Sequence, residues 1–295
     1  MSHLAQLRQK IRTIQTTKKI THAVRLVSMS LYNKLDRLNT PLKNYTSNLK
    51  NLFVELLAHA PEWKSSLLFP QDVFDSRPLH IVVATSKGLC GSLNSNLLRY
   101  VNASLFIEVQ QVPKFIAIGQ KAVVYVKNMG KGELAHTYAE LSSNNFIALA
   151  DDLVDKIVNA PEHYTSVCFY ISEAKSFFLQ KPCKFTLIPM SLDPLPDGKS
   201  ETTPLPDRDP DAEFIWEQDQ GAVLDYLSIR YLRSSIIQIL FQALRAEHAA
   251  RFLAMENSTN SAEKYLERLK LQFNKLRQSL ITKEVSELSS GFQKH

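Results

Sequence analysis

The sequence lacks the residue clusters on which most enzymes depend. Its eight histidines are scattered, and none belongs to an HExxH motif or a Cys/His metal-ligand pattern. The three cysteines, Cys90, Cys168 and Cys183, form no CxxC pair and no dense disulfide framework. We therefore expect no metal, no cofactor and no catalysis by this chain alone. Reduced thiols are typical of a protein on the cytosolic side of a membrane.

Long apolar runs and the apolar core of a signal peptide are also missing. No run approaches the ~18 residues that cross a bilayer, so we do not expect a membrane-spanning chain. The first fifteen residues are basic and free of acid, as in a transit peptide, but helical apolar spacing continues past them. The lack of a clear presequence favours a bacterial protein.

Acidic residues are nearly absent from the first fifty positions. This segment holds ten Lys or Arg and one acid, Asp36, so it carries +9, whereas the whole chain carries +6. A solvated helix face is the plainest interpretation, and docking to an acidic partner or to nucleic acid are the alternatives. Aromatic residues are sparse in this segment, which does not favour stacking on bases.

Proline is absent from Gly221 to Ser290, and the next glycine is Gly291. Apolar residues in this stretch recur at steps of three and four, as in Leu266, Leu269, Phe273, Leu276 and Leu280. The alternation predicts one coiled-coil helix on the order of 100 Å long. A helix of that length needs a partner for its apolar seam.

The N-terminal segment shows a second stripe of helical spacing. It comprises Leu4, Leu7, Ile11, Ile14, Ile20, Val24, Val27, Leu31, Leu38, Leu42, Tyr45, Leu49, Leu52 and Leu56. Pro41 is expected to kink or split this helix. We predict that the two terminal helices pair as an antiparallel coiled coil, and that the middle of the chain folds as a separate body.

The middle of the chain alternates between strand-like and helix-like segments. Short apolar runs at 79–85, 115–119, 167–172 and 185–190 predict strands, with helices near 95–109 and 145–160. The alternation favours an α/β fold with a largely parallel sheet. We place the N-terminal helix at 1–60, the α/β domain at 75–190, a Pro/Asp-rich linker at 191–213 and the C-terminal helix at 214–290.

A turn with glycine and lysine follows the first predicted strand. The segment Ser86–Asn94 could cradle a phosphate, but it matches neither GxGxxG nor GxxxxGK[ST]. A tight strand-to-helix turn that needs glycine for its backbone explains the same residues. Cys90 in this turn could act as a nucleophile, although no histidine is tied to it in sequence and a packed thiol is the simpler interpretation.

Four stretches, taken in order, resemble the gamma subunit of the F-type ATP synthase. They are Lys18–Ser28, Thr85–Leu97, Glu247–Thr259 and Asn274–Glu284. The resemblance covers the whole chain, and the last two stretches are the most specific. It implies an α/β fold in which an antiparallel coiled coil of long N- and C-terminal helices carries an inserted Rossmann-like α/β domain.

The resemblance also implies a role and partners. A gamma subunit is the central rotor shaft inside a ring of alpha and beta subunits, and its foot lies with the epsilon subunit on the membrane c-subunit ring. Proton flow turns the shaft, and the beta subunits make ATP, so the chain itself would be non-catalytic. We accordingly expect a peripheral protein at the cytoplasmic face of the bacterial inner membrane, with no nucleic-acid partner.

The resemblance assigns roles to individual residues. By resemblance, Arg277, Gln278 and Thr282 contact a loop of the beta subunit. The zone that couples rotation to catalysis matches Lys19, Val24, Glu247, Arg251 and Met255. A sliding tip also needs apolar contacts, for which the candidates are Leu280, Ile281, Val285 and Leu288, together with Leu4, Leu7 and Ile11.

The sequence departs from the family pattern at several positions. His22 stands where Lys is usual, Val24 replaces a common Met, Ser86-Lys87 replaces Asp-Arg, and Gln220 replaces a common Pro. These departures leave open a non-rotary coiled-coil scaffold. A basic nucleic-acid-binding rod, or a small-molecule enzyme that uses the α/β body, are the remaining alternatives.

Overall fold

The computed structural model describes residues 2–60, 62–63, 65, 68–69, 78–105, 113–130, 132–160, 164–190 and 216–292. The elements are α1 (Ser2–Ala58), β1 (Pro78–Val83), α2 (Leu93–Leu105), β2 (Lys114–Ile118), α3 (Gln120–Met129), β3 (Glu133–Tyr138), α4 (Phe146–Val158), β4 (Ser166–Ser176), β5 (Leu179–Ile188) and α5 (Gln220–Phe292). The stretch 191–213, predicted to be a linker, lies outside the described residues.

The chain divides into two compact units. The helical unit comprises Met1–Ser30 and Arg251–His295, and the α/β unit comprises Leu31–Ala250. The first part of α1 and the last part of α5 therefore belong to the helical unit, and all five strands belong to the α/β unit.

The five strands form one sheet in the order β3-β2-β1-β4-β5. The first four strands in that order are parallel, and β5 returns antiparallel to β4 as a hairpin. The prediction of an α/β fold with a largely parallel sheet is confirmed. The edge strand β3 and the helix α3 were not predicted. The hairpin strands β4 and β5 are longer than the apolar runs 167–172 and 185–190 from which they were predicted.

The sheet is buried on both faces, which explains the nearly continuous apolar runs in its strands. Leu79, Ile81 and Val83 of β1 pack with α4 and with the segments of α1 and α5 in this unit. Val82 points to the other face, into a cluster with α2 and α3. The α/β unit is thus a three-layer sandwich, as in a doubly wound fold.

Helix α1 is not split at Pro41, so of the two expected outcomes, a kink or a split, the split is wrong. Pro41 is exposed, so water can reach the carbonyl group that loses its backbone donor. The helix is also held by packing on either side of the proline, where Leu35 and Phe53 are buried in the core of the α/β unit.

The apolar seam predicted for α1 is wrong in phase along much of its length. Five residues assigned to it are exposed, namely Ile20, Val27, Leu38, Tyr45 and Leu52. The buried positions are Leu7, Thr21, Ser28, Tyr32, Leu35, Thr46, Lys50, Phe53 and Leu56. Thr21, Ser28 and Thr46 can be buried because each hydroxyl donates a hydrogen bond to a backbone carbonyl of the preceding turn.

Helix α5 runs unbroken from Gln220 to Phe292 and includes two glycines. Gly221 lies in its first turn and Gly291 in its last. In the helical unit the seam of α5 follows the predicted positions, since Leu266 and Leu269 are buried and Phe273, Leu276 and Leu280 are half-buried.

Candidate functional site

Three cross-helix contacts join α1 to α5 within the helical unit. Lys18 Nζ lies 2.6 Å from Glu263 Oε1, the hydroxyl oxygens of Thr21 and Thr259 lie 2.9 Å apart, and Arg25 pairs with Glu256. The partner numbers fall along α5 as they rise along α1, so the two helices are antiparallel. These contacts fix the register of the pair.

The polar contacts differ in how much water reaches them. Thr21 and Thr259 are buried in the seam, whereas the Lys18–Glu263 pair lies at the surface. The hydrogen bond and the charge of Lys18 lower the pKa of the Glu263 carboxyl. A surface pair of this kind adds little stability, so we regard the threonine contact as the more specific determinant of register.

The last turns of α5 are exposed on every side. Every residue from Ile281 to Ser289 is exposed. Extension of the antiparallel register places Leu4 of α1 beside about Arg277, so α5 continues past the start of α1. Ile281, Val285 and Leu288 are therefore apolar side chains that α1 does not cover.

The predicted beta-contact residues lie on this same exposed segment. Arg277, Gln278 and Thr282 are all exposed. Gln278 and Thr282 are four residues apart, and Val285 follows at the next helical step, so these side chains share one face of α5. The structure thus combines polar groups and apolar side chains on a single outward surface.

The predicted coupling residues are divided between the two units. Lys19, Val24, Arg251 and Met255 belong to the helical unit and Glu247 to the α/β unit. Lys19 is exposed and Val24 is half-buried, whereas Arg251 and Met255 are buried. Of this group, only Lys19 offers a fully exposed side chain.

Helix α1 carries exposed apolar side chains that the sequence pattern did not predict to be exposed. In the helical unit Ile20 is 56% exposed, Leu26 54% and Val27 59%. Two of these residues were assigned to the seam, because apolar spacing alone does not distinguish a buried stripe from an exposed one. The signal that could have separated them is Thr21 and Ser28, whose helical spacing continues from Leu7 and Ile14.

The turn after β1 is closed by its own side chains. The Thr85 backbone NH donates to Asn94 Oδ1 at 3.1 Å, and Asn94 Nδ2 donates to Thr85 Oγ1 at 2.8 Å. Leu89 and Gly91 both have positive φ, of 68° and 58°. Cys90 is buried against Leu93 and Ala250, which agrees with a packed thiol in a tight turn.

Helix α4 carries the main ionic contacts of the α/β unit. Arg233 of α5 holds Asp151 with two hydrogen bonds of 2.6 and 3.1 Å. Asp152 accepts from Tyr138 and from Lys156, and these bonds lower the pKa of its carboxyl. Burial, followed by the bond to Asp152, raises the pKa of Tyr138 to about 12. These contacts tie β3, α4 and α5 together.

Neither a metal cluster nor a membrane-spanning segment occurs in the part of the chain that the structure describes. The His, Cys, Asp and Glu residues there nowhere form a group of three or more that could hold a metal ion. The described helices also contain no apolar stretch long enough to cross a bilayer.

Comparison with known proteins gives the family. The family model described as ATP synthase matches residues 3–293. An ATP synthase gamma chain of Verminephrobacter eiseniae is 31% identical over 292 residues, which cover 97% of this chain and 96% of that protein. The chain belongs to the ATP synthase gamma family. A second gamma-family relative, from Heliobacterium modesticaldum, is 28% identical over 99% of this chain and 98% of its own length.

Solved structures of chains from ATP synthases share the fold. A chain from the Euglena gracilis mitochondrial ATP synthase, in a structure of its rotor, aligns with a TM-score of 0.62 at 16% identity, over 95% of this chain and 99% of that one. A chain in a structure of the OSCP/F1/c-ring part of the same enzyme aligns with a TM-score of 0.66 at 14% identity, over 99% of this chain and 94% of that one.

Proposed function

We propose that the chain is the central rotor shaft of an F-type ATP synthase, which couples proton flow across a membrane to the conformational cycling of catalytic beta subunits. The observation that carries this proposal is the pairing in the helical unit. A narrow seam and three cross-helix contacts join α1 to α5, while basic and apolar side chains face outward. Two joined helices resist bending and twisting better than one, as a shaft requires.

The role defines the partners and the division of labour. The shaft turns inside a ring of alpha and beta subunits, and its foot rests with the epsilon subunit on the c-subunit ring. Catalysis belongs to the beta subunits, and this chain transmits work. The bacterial relatives support a position at the cytoplasmic face of the inner membrane, as a peripheral part of the F1 sector.

The regions of the chain have separate tasks in this proposal. Residues 1–60 and 214–290 form the shaft, 75–190 form the Rossmann-like domain of the foot, and 191–213 link that domain to the second shaft helix. Sliding contacts at the tip come from Leu280 together with the exposed Ile281, Val285 and Leu288. These apolar side chains can pass a ring of subunits because they form no fixed polar bond.

Directional contact requires polar groups beside the sliding ones. Arg277, Gln278 and Thr282 are the proposed contacts to a beta loop. All three are exposed on α5, and Gln278 and Thr282 share one face of the helix, which supports the assignment. Lys19 is the proposed coupling contact on α1. Val24, Glu247, Arg251 and Met255 complete the coupling zone, where the buried Arg251 and Met255 shape the helix pair rather than face a partner.

The two neighbouring lysines of α1 have different tasks. Lys18 is engaged with Glu263 inside the chain, whereas Lys19 is exposed and available to an acidic segment of beta. We expect Lys19→Glu to lower ATP-driven proton pumping several-fold while ATP hydrolysis continues. Lys127→Glu, an equal charge change at an exposed position of α3, is the matched control and should leave pumping intact. Unchanged pumping by the Lys19 variant would contradict the coupling assignment.

Assembly is the test of the proposal as a whole. A tagged copy of the chain is expressed in its source cell and purified under native conditions. Co-purification of alpha, beta and epsilon subunits with ATPase activity is expected. Recovery of the chain alone, or with unrelated proteins, would instead support the scaffold alternative.

A further inference from the structure

The α/β unit has its topological switch point between β1 and β4. The chain leaves β1 through α2 for β2 on one side, whereas β4 lies on the other side of β1. In open α/β sheets, ligands bind in the crevice at the carboxyl ends of the strands that flank such a point. Here β1 ends at Val83. The register of the two strands places Ser172 of β4 just beyond that end.

Helix α5 forms one wall of this crevice. Ala243 and Glu247 of α5 line it, together with Thr85 and Asn94 of the strand-to-helix turn. The cavity that remains measures about 10 Å³, which is room for the centre of one water molecule. Sites for drug-sized ligands and cofactors measure hundreds of cubic ångströms, so a nucleotide does not fit.

Ser172 supplies a polar group that needs a partner in this cavity. The residue lines the cavity and is 5% exposed, and its buried hydroxyl oxygen has no hydrogen-bond partner within the described residues. A buried hydroxyl without a partner is costly, and such groups in folded proteins are usually satisfied by protein or by ordered water.

The other polar residues of the cavity complete a water site. Thr85 and Asn94 are fixed by their mutual hydrogen bonds, and the Asn94 carbonyl oxygen keeps a second lone pair for a further donor. Glu247 of α5 also lines the cavity. A buried water usually has two to four polar partners, and Ser172, Glu247 and Asn94 can provide them.

We propose that the switch-point crevice binds one water molecule that bridges Ser172 of β4 to Glu247 of α5. The water satisfies the Ser172 hydroxyl and connects the sheet to the helix through a residue of the coupling zone. The site lies wholly within the α/β unit, and stability measurements on the isolated full-length chain test it independently of the rotor role.

A direct test needs no variant. In a cryo-EM map of the native complex that resolves ordered water, we expect one peak within roughly 2.7–3.0 Å of Ser172 Oγ and of a Glu247 carboxylate oxygen. A direct bond from Ser172 to a protein atom, with no peak in the cavity, would overturn the proposal. A peak with five or more oxygen neighbours at cation distances would also overturn it, since it would mark a metal ion.

A stability series on the full-length chain tests the bridge itself. Ser172→Ala and Glu247→Ala should each lower Tm by about 2–4 °C. The double variant should lose clearly less than the two effects combined, because the second change removes a water that is already displaced. Glu247→Gln keeps an oxygen for the water and should lose less than Glu247→Ala.

The matched control pairs Ser172→Ala with Asp155→Ala, a change at an exposed carboxylate of α4. The effects of this pair should add. Additive losses for Ser172→Ala and Glu247→Ala as well would contradict the bridge, even if both single variants are less stable. Should Glu247→Ala fail to fold, Glu247→Gln takes its place in the series, and the map of the unmodified complex remains decisive.

Discussion

The same two helices are held in different ways in the two units. In the α/β unit, α5 is buried on almost every side from Tyr231 to Ala250, as Ile236, Leu240 and Phe241 show. In the helical unit, α5 buries only one seam, which includes Met255, Leu266 and Leu269. One continuous helix therefore depends on a two-sided core in one region and on a narrow stripe in the other.

Polar contacts also serve different ends in the two units. In the α/β unit the bidentate Arg233–Asp151 pair adds to a core that already fixes the geometry. In the helical unit the seam is uniform enough to slip, and the buried Thr21–Thr259 contact selects one register. Where apolar area is small, specificity comes from a few polar groups.

The largest expected effect is in the sheet core. Phe169→Ala removes a fully buried ring of β4 and should lower the free energy of unfolding by about 3–5 kcal/mol. Phe178→Ala in the hairpin turn is the control, because that ring is 76% exposed and should change stability by less than about 0.5 kcal/mol. Thermal and chemical unfolding of the full chain measure both, and similar losses would refute the two-sided core.

A smaller effect is expected at the seam of the helical unit. Leu266→Ala should cost about 2 kcal/mol, at the low end for a buried leucine because solvent lies close on both sides. Amide hydrogen exchange should show faster opening in 251–289 and little change in the strands. Leu271→Ala, at a position that is 62% exposed, is the matched control. Loss of protection throughout the sheet would mean that the two regions do not differ as described.

The register contact gives a third, weaker test. Thr21→Val and Thr259→Val each keep the side-chain shape and remove a hydroxyl. We expect a coupling energy of about 0.5–1 kcal/mol between them in a double-mutant cycle, because either change alone removes the contact across the seam. The remaining hydroxyl keeps its bond to a carbonyl of its own helix, so the single changes should be mild. Additive effects of the two changes would show that the pair does not act as a unit.

The smallest expected effect is on the pH dependence of stability, through Asp152 of the α/β unit. The bonds from Lys156 and then Tyr138 lower the pKa of Asp152, so their stabilisation is present above the ordinary Asp pKa of about 4 and is lost as pH falls below it. Asp152→Asn should therefore reduce the loss of Tm between neutral pH and about pH 3. The reduction should be modest, since the carboxylate is nearly half exposed. An unchanged pH profile would exclude this contribution.

Much of the fold could be predicted because its strands are buried on both faces. The runs at β1, β2 and β4 are apolar enough to stand out, and the seam of α5 follows a regular alternation. Strand β3 could not be found in this way, because an edge strand with the sequence ELAHTY is half exposed and carries no apolar run. The helix α1 was not predicted to continue unsplit through Pro41. It does so because packing and solvent access offset the backbone hydrogen bond that proline removes.

The candidate site was only partly visible in the sequence. Motifs located the segments of α1 and α5, but not which side chains face outward. Ile20 and Val27 looked like seam residues, and Thr21 and Ser28 did not, because the ability of a hydroxyl to bond its own helix is not part of a hydrophobic pattern. The cavity at Ser172 depends on residues far apart in the chain and leaves no local signal.

Ala243 and Glu247 line a switch-point crevice that is too small for a nucleotide. A sheet of this topology with an open crevice could take up ADP or ATP, and its conformation would then follow the energy charge of the cell. A crevice with room for one water cannot do so. In the proposed role, an adenylate nucleotide therefore cannot change the conformation of the shaft by binding in this crevice.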